Sequence, residues 1–287
     1  MRILLLGKNG QVGWELQRTL LPIGEVIAFG SNEVNLADFK AIIRIIKETK
    51  PNFIVNAAAY TDVDRAEEEP ELAMVINSDA VGVIAETAKT IGAALIHYST
   101  DYIFDGKKNT PYTEEDEPNP INVYGKTKAA GEKVIRQVGV PFFIFRTSWV
   151  YGLRGKNFLL TIMRLARERE KLFIVNDQFG SPTWSRMIAE TTSVILAKHA
   201  NQIDEKQGIY NLSSGGEATW YDFANEILAR VGKDMNVCLS PIATSEYKTP
   251  ASRPTFSVLS NKKLTSMLGI SIHDWRYCLK IALEDLI

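Results

Sequence analysis

Tyr124 and Lys128 stand four residues apart in Asn122-Val123-Tyr124-Gly125-Lys126-Thr127-Lys128, a segment of helical pattern that follows Pro118-Asn119-Pro120, so the two side chains share a helix face. A free phenol ionises near pH ~10 and is a reluctant proton donor at neutrality. An ammonium group beside it stabilises the phenolate, at about 1.4 kcal/mol for each unit of depression. Such a pair can protonate a carbonyl oxygen as hydride reaches the carbon. Taken alone, Tyr and Lys at this spacing are common on helix surfaces, and the pair gains meaning only from what accompanies it.

The first companion is Gly7-Lys8-Asn9-Gly10-Gln11-Val12-Gly13, which follows an apolar run at the chain start and opens a helical segment. Glycines there permit a tight turn, close backbone approach to a pyrophosphate and tight helix–strand packing, while the helix N-terminus offers free N–H groups to phosphate. The spacing is G-x-x-G-x-x-G rather than G-x-G-x-x-G, which points away from ordinary two-domain dehydrogenases. After the second apolar run the chain reads Phe29-Gly30-Ser31-Asn32-Glu33, with no acid at the first positions beyond the run. A 2′-phosphate meets no obvious repulsion there, yet Glu33 is near enough to reach a ribose; NADP and NAD both stay open. The second companion is Tyr98-Ser99-Thr100-Asp101-Tyr102, at the exit of another apolar run, where Ser99 and Thr100 are placed to hydrogen-bond a substrate carbonyl.

These features need a scaffold, and the sequence supplies one. Strands are expected at Arg2–Leu6, Val26–Phe29, Phe53–Asn56, Ala94–Tyr98 and Phe142–Arg146, with helices at Gln11–Leu21, Phe39–Thr49, Glu71–Thr90 and Asn122–Gln137 between them. Consecutively apolar strands alternating with amphipathic helices describe a doubly wound, mostly parallel α/β sheet covered on both faces. Beyond Arg146 the rhythm changes. Helices are expected at Asn157–Arg169, Trp184–His199 and Trp220–Val231, strands at Leu172–Val175 and Gly208–Leu212, and the tail around Pro241, Pro250 and Pro254 reads as a smaller, less regular region over the strand ends.

Composition narrows the classes. The chain has 287 residues, 45% hydrophobic and 23% charged, with 33 Lys plus Arg against 34 Asp plus Glu and a formal net charge of -1. That balance gives no electrostatic reason to expect nucleic acid or an anionic membrane as partner. No apolar run approaches the ~18 residues of a membrane span, and Lys8 and Asn9 cut short any resemblance to a signal peptide, so a cytoplasmic chain is expected. The two cysteines, Cys238 and Cys278, read as reduced thiols, and His97, His199 and His273 show no zinc-ligand spacing.

Together, Gly7/Gly10/Gly13, Asn56-Ala57-Ala58-Ala59, Ser99-Thr100 and Tyr124-x-x-x-Lys128 resemble the extended short-chain dehydrogenase/reductase superfamily. Further stretches sharpen the likeness toward its reductases of dTDP-linked 4-keto-6-deoxysugars. They are Tyr60-Thr61-Asp62-Val63-Asp64-Arg65-Ala66-Glu67, Asp101–Gly106, Phe145–Gly152, Asn176–Thr183 and Ala251-Ser252-Arg253-Pro254, so the resemblance covers nearly the whole chain. It implies a Rossmann-type fold with a smaller α/β substrate-binding region near the C-terminus. Residues 1–150, completed by parts of 184–212, would bind the dinucleotide, and 151–287 would mainly hold the sugar nucleotide.

The implied reaction is transfer of hydride from NADPH or NADH to C4 of the sugar, the last step to dTDP-L-rhamnose. The resemblance makes Tyr124 the proton donor, with Lys128 lowering its pKa and holding the nicotinamide ribose and Thr100 at the carbonyl. Gln11 and Val12 would meet the pyrophosphate, Asn35 and Leu36 the adenine, and Ala57, Ala58, Ala59 and Tyr98 the length of the dinucleotide. Thr100, Asp101 and Trp149 would face the sugar, and Arg253 the diphosphate, where a planar cation makes paired hydrogen bonds. Some members of the family join two copies through a divalent cation. Here Glu15 fits one ligand place but Arg186 stands at the other, with Glu190 one turn on, so no metal is expected and the chain is read as a monomer or weak homodimer. A 4-ketoreductase of other stereochemistry or nucleotide, and a non-catalytic dinucleotide-binding regulatory subunit, remain the alternatives.

Overall fold

The computed structural model describes residues 1–231 and 237–284. The alternation of the first half folds as the elements β1 Arg2–Leu6, α1 Gln11–Thr19, β2 Glu25–Phe29, α2 Phe39–Thr49, β3 Phe53–Asn56, α3 Ala80–Ile91, β4 Ala94–Thr100, α4 Val123–Val138 and β5 Phe142–Thr147. Later elements are α5 Phe158–Glu168, β6 Lys171–Val175, α6 Ser185–His199, β7 Gly208–Asn211, α7 Trp220–Val231, β8 Cys238–Ile242, α8 Lys262–Leu268 and α9 Trp275–Glu284. Six strands form one sheet in the order β7-β5-β4-β3-β1-β2. Every pairing in it is parallel.

The consecutive apolar residues of β1 explain the two layers. Ile3 and Leu5 join a core on one face with Leu16 of α1 and Ile188 of α6, while Leu4 and Leu6 join a core on the other with Ile42 of α2 and Ile84 of α3. Both β1 neighbours are in place, β2 on one side and β3 on the other, so the strand order reverses at β1 and a crevice opens at the carboxyl ends there. A third core, built on Trp275, Phe223, Tyr151 and Leu172, belongs to the C-terminal elements.

Three differences from the sequence expectations have physical reasons. The single helix expected at Glu71–Thr90 is divided: Pro70–Met74 is α-helical, Val75–Asp79 is a π-turn and α3 follows. Such a turn inserts one extra residue and re-aims side chains; here Asn77 accepts from Tyr60 N at 2.9 Å and donates to Thr127 Oγ1 at 3.0 Å. The β4 strand runs on through Ser99 and Thr100, because these two residues pair with Arg146 and Thr147 of β5. In the tail, Cys238–Ile242 is a strand despite Pro241. It pairs with β6 alone in a two-stranded edge, the setting in which a missing N–H is tolerated.

The helix that carries Tyr124 is held at both ends and along its flank. Asn122 caps α4 by accepting from Gly125 N at 2.7 Å, and Gly139 closes it in a left-handed conformation. Gly125 is needed for close approach: a Cβ there would lie 2.1 Å from the carbonyl oxygen of Tyr102, just beyond β4. The absence of a side chain thus lets the start of α4 sit directly on the end of β4.

Candidate active site

A cavity of about 690 Å³ runs along the carboxyl ends of the strands. Of the residues singled out from sequence, Gly7, Gly10, Gln11, Val12, Asn35, Leu36, Ala57, Ala58, Ala59 and Tyr98 line it, together with Thr100, Asp101, Tyr124, Lys128 and Trp149. Two do not. Gly13 packs behind the loop, where an added Cβ would lie 2.0 Å from Gly7 O, so its part is helix–strand packing rather than contact with a ligand. Arg253 lines a neighbouring cavity with Asp105, Lys107, Phe179 and Phe256. Its guanidinium is engaged by Asp64 at 2.8 and 3.0 Å and by Thr249 Oγ1 at 2.6 Å.

The glycine-loop end is shaped for a dinucleotide. The cap residue of α1, Gly10, makes no side-chain cap, leaving the first N–H groups of the helix to the cleft. The small Ala57–Ala59 keep the passage beside it open. At the rim Glu33, which the sequence left near enough to a ribose, is held by Lys8 Nζ at 2.6 Å and by Gly30 N at 2.8 Å. These bonds hold its carboxyl below the usual carboxylate range, the Lys8 hydrogen bond contributing most. Further in, Ser99 Oγ is buried without a hydrogen-bond partner although it lines the cavity. An unpaired buried hydroxyl costs about 1–3 kcal/mol, so a ligand that satisfied it would be favoured. Donor N–H groups, a narrow apolar wall and an orphaned hydroxyl all suit a nicotinamide dinucleotide.

At the other end, Tyr124 is half-buried, and desolvation of its hydroxyl pushes the phenol up to about 12; a hydrogen bond with Thr100 opposes this and the Asp101 charge reinforces it. Lys128 is fully buried beside the cleft. Its Nζ donates to Tyr98 O at 2.6 Å and lies 3.2 Å from His97 Nε2. The lysine is thus turned to the β4 backbone and His97, and burial is the largest influence on the phenol. Desolvation also brings Lys128 down to about 8, against the opposing attraction of Glu132.

Asp101 is raised to about 6 by burial, while hydrogen bonds from Ser257, Ser148 and Thr100 hold it down. Ser257 and Ser148 reach it at 2.6 and 2.9 Å. Trp149 takes a left-handed φ of 44° and stacks on Trp220 with ring centroids 3.5 Å apart. Glu15 pairs with Arg186 at 3.2 Å, and burial raises the Glu190 carboxyl.

Sequence reasoning missed several cleft residues. Trp220 comes from α7, and Gly155 and Lys156 come from the segment before α5, which Asn157 ties to Gln11 by a 2.8 Å hydrogen bond. Ile76 enters through the π-turn. No spacing in the sequence joins these residues to the glycine loop; only the tertiary contacts do.

A parallel sheet with its crevice at the strand-order reversal, a glycine loop opening α1 and a Tyr–Lys pair at the end of β4 define a Rossmann-type reductase. The chain belongs to the RmlD substrate binding domain family, whose model matches residues 1–287. It is 45% identical to the dTDP-4-dehydrorhamnose reductase of Burkholderia thailandensis, over 100% of this chain and 99% of that one. It is 43% identical to the reductase of the same name from Escherichia coli K12, over 100% and 98% of the two chains. The crystal structure of dTDP-4-dehydrorhamnose reductase from Bacillus anthracis in complex with NADP superposes with a TM-score of 0.91 at 34% identity, covering 99% of each chain. Among the described residues, no helix is long and apolar enough to cross a membrane.

Proposed function

We propose that this chain is an NADPH- or NADH-dependent reductase of the 4-keto group of a dTDP-linked 4-keto-6-deoxysugar, giving dTDP-L-rhamnose. The observation that carries the reading is that Tyr124, Thr100 and Lys128 share one cleft with the glycine loop. The bound dinucleotide supplies hydride. Gly7, Gly10, Gln11 and Val12 would hold its pyrophosphate on the α1 N-terminus, Asn35 and Leu36 its adenine, and Ala57–Ala59 with Tyr98 its length.

Residues 1–150, with parts of 184–212, make the dinucleotide side in this reading, and 151–287 mainly the sugar-nucleotide side. Tyr124 gives its proton to the carbonyl oxygen of the sugar. A phenol held near 12 is protonated at neutrality, which is the form a reductase requires of its acid. Thr100, whose hydroxyl donates to Asp101 and accepts from Tyr102 N, stands with that phenol at the end of β4. Lys128 holds the nicotinamide ribose and offers positive charge as the phenolate forms. Asp101 and Trp149 face the sugar, and Arg253, in the adjoining cavity, faces the diphosphate.

The test is oxidation of NADPH with a dTDP-4-keto-6-deoxysugar, comparing wild type with Tyr124→Phe and identifying the product by NMR. Turnover of the variant should fall by at least ~10²-fold with NADPH binding retained. Undiminished turnover, or a product other than the rhamnosyl nucleotide, sinks the proposal.

A further inference from the structure

His97 has no part in the reaction as drawn, yet it is fully buried at the centre of the sheet, beside the lysine on which that reaction depends. It sits on β4, in register with Asn56 of β3 and Ile144 of β5. Its Nδ1 lies 3.2 Å from Asn56 Nδ2, and its Nε2 lies 3.2 Å from Lys128 Nζ. The Asn56 carboxamide is oriented from its other side, where Oδ1 accepts from Ala58 N at 3.2 Å.

These contacts fix the hydrogens. With Oδ1 committed to Ala58, Asn56 presents N–H to His97 Nδ1, which must be the bare, accepting nitrogen. Burial keeps the imidazole neutral, so its one hydrogen is on Nε2 and points at Lys128. A donor aimed at Nζ fits the lone pair of an amine and opposes an ammonium. The charged groups around the lysine are few. Glu132 on α4 attracts the ammonium form but is already bound by Arg146 of β5 at 2.8 and 3.0 Å; Tyr124 and Asp101 lie toward the cleft.

We propose that His97 is a positioning residue whose Nε2–H favours the amine form of Lys128 and lowers the pH at which that form takes over, so that in mildly alkaline solution engagement of Lys128 with the dinucleotide draws a proton from solvent onto Nζ. The inference rests on the reading that Lys128 holds the nicotinamide ribose. In that alkaline range it makes the ammonium, and with it any acidifying influence on Tyr124, a consequence of cofactor binding.

Two measurements test it, and the first is independent of catalysis. Nitrogen NMR of the free protein at pH 8.5, with ring-labelled histidine, should show His97 with Nε2 protonated and Nδ1 bare; the opposite tautomer, or an imidazolium, overturns the proposal. The second is calorimetric binding of NADPH at pH 8.5 in two buffers of different ionisation enthalpy. Wild type should take up more than half a proton per site, about three quarters for a lysine lowered to about 8. Lys128→Met should abolish the uptake. His97→Gln, whose carboxamide oxygen can accept from an ammonium, should reduce it severalfold, and should move the alkaline limb of the activity profile up by about one pH unit. Equal uptake in wild type and His97→Gln refutes the role, as does a variant that loses activity uniformly with its alkaline limb unmoved. Should Tyr124→Phe prove fully active, the assigned reaction fails while the tautomer still decides the His97–Lys128 arrangement.

Discussion

The two ends of the cleft are built by different means. At the glycine-loop end the backbone does the binding: short residues, a helix N-terminus and strand ends that local sequence specifies. At the Tyr124 end the working groups are side chains drawn from distant parts of the chain. Asp101 is held by Ser148 and Ser257, Asn122 by the Ser252 carbonyl at 2.8 Å, and Arg253 by Asp64. The first end recognises what many dinucleotide-binding proteins share, so regular structure suffices. The second must recognise one sugar nucleotide, and that takes groups which no single element can carry.

If the glycine end is backbone-built, a methyl group in the wrong place should do more damage there than any change at the other end. Gly13→Ala puts a Cβ 2.0 Å from Gly7 O, a backbone atom that cannot swing aside. The loop and α1 must separate, and a loss of roughly 3 kcal/mol or more in unfolding free energy is expected, read by chemical denaturation. Gly10→Ala is the control. Its new Cβ meets nothing nearer than 3.4 Å, and its φ of -73° suits alanine. Stability should persist while NADPH affinity drops at least tenfold, because the methyl group would stand in the phosphate cradle. Equal stability of the two variants would show that loop packing does not depend on Gly13.

The same contrast explains what the sequence disclosed. The five strands and three of the helices of the first half were legible because each buries its own periodic face, and α2 falls at the expected Phe39–Thr49. The Tyr124–Lys128 pair was legible as spacing on one helix. Its electrostatics were not, because the fate of Lys128 depends on Tyr98 O and His97, thirty and thirty-one positions away in sequence. The π-turn at Val75–Asp79 left no mark in a helical pattern that continues through it. The β8 strand was hidden by Pro241 and by a partner strand lying far upstream, and α8, of seven residues, carried too few turns to show a period, whereas α9 has the helical period Trp275, Cys278, Leu279, Ala282 and Leu283 in plain sequence.

At the side-chain end the largest expected effect is on pH dependence. Asp101 binds its proton more tightly folded than unfolded, with a folded value of about 6 against an ordinary 3.8. Its contribution to stability is therefore fully present below about pH 4 and is lost as pH rises through 6, an amount of roughly 3 kcal/mol. Asp101→Asn removes this titration and leaves Ser148 and Ser257 free to rotate their hydroxyls toward the amide. Denaturation midpoints measured from pH 4 to 7 should fall less steeply in the variant than in wild type. Parallel profiles would mean that Asp101 is not the buried acid the hydrogen-bond pattern describes.

The smallest effect belongs to Arg253, and it separates binding from chemistry. Arg253→Lys keeps the charge but gives up the two-pronged grip on Asp64 that the guanidinium makes at 2.8 and 3.0 Å. The pair is partly exposed, with side-chain exposures of 20% and 36%, so stability should change by less than about 1 kcal/mol. Affinity should respond more, since a diphosphate beside a lysine loses the paired hydrogen bonds that a planar cation offers. A rise in KM for the sugar nucleotide of about fivefold to tenfold is expected, with kcat and NADPH affinity held. An unchanged KM would remove Arg253 from the substrate site. A fall in kcat with KM constant would place the residue in the chemistry, contrary to its position outside the cleft that holds Tyr124.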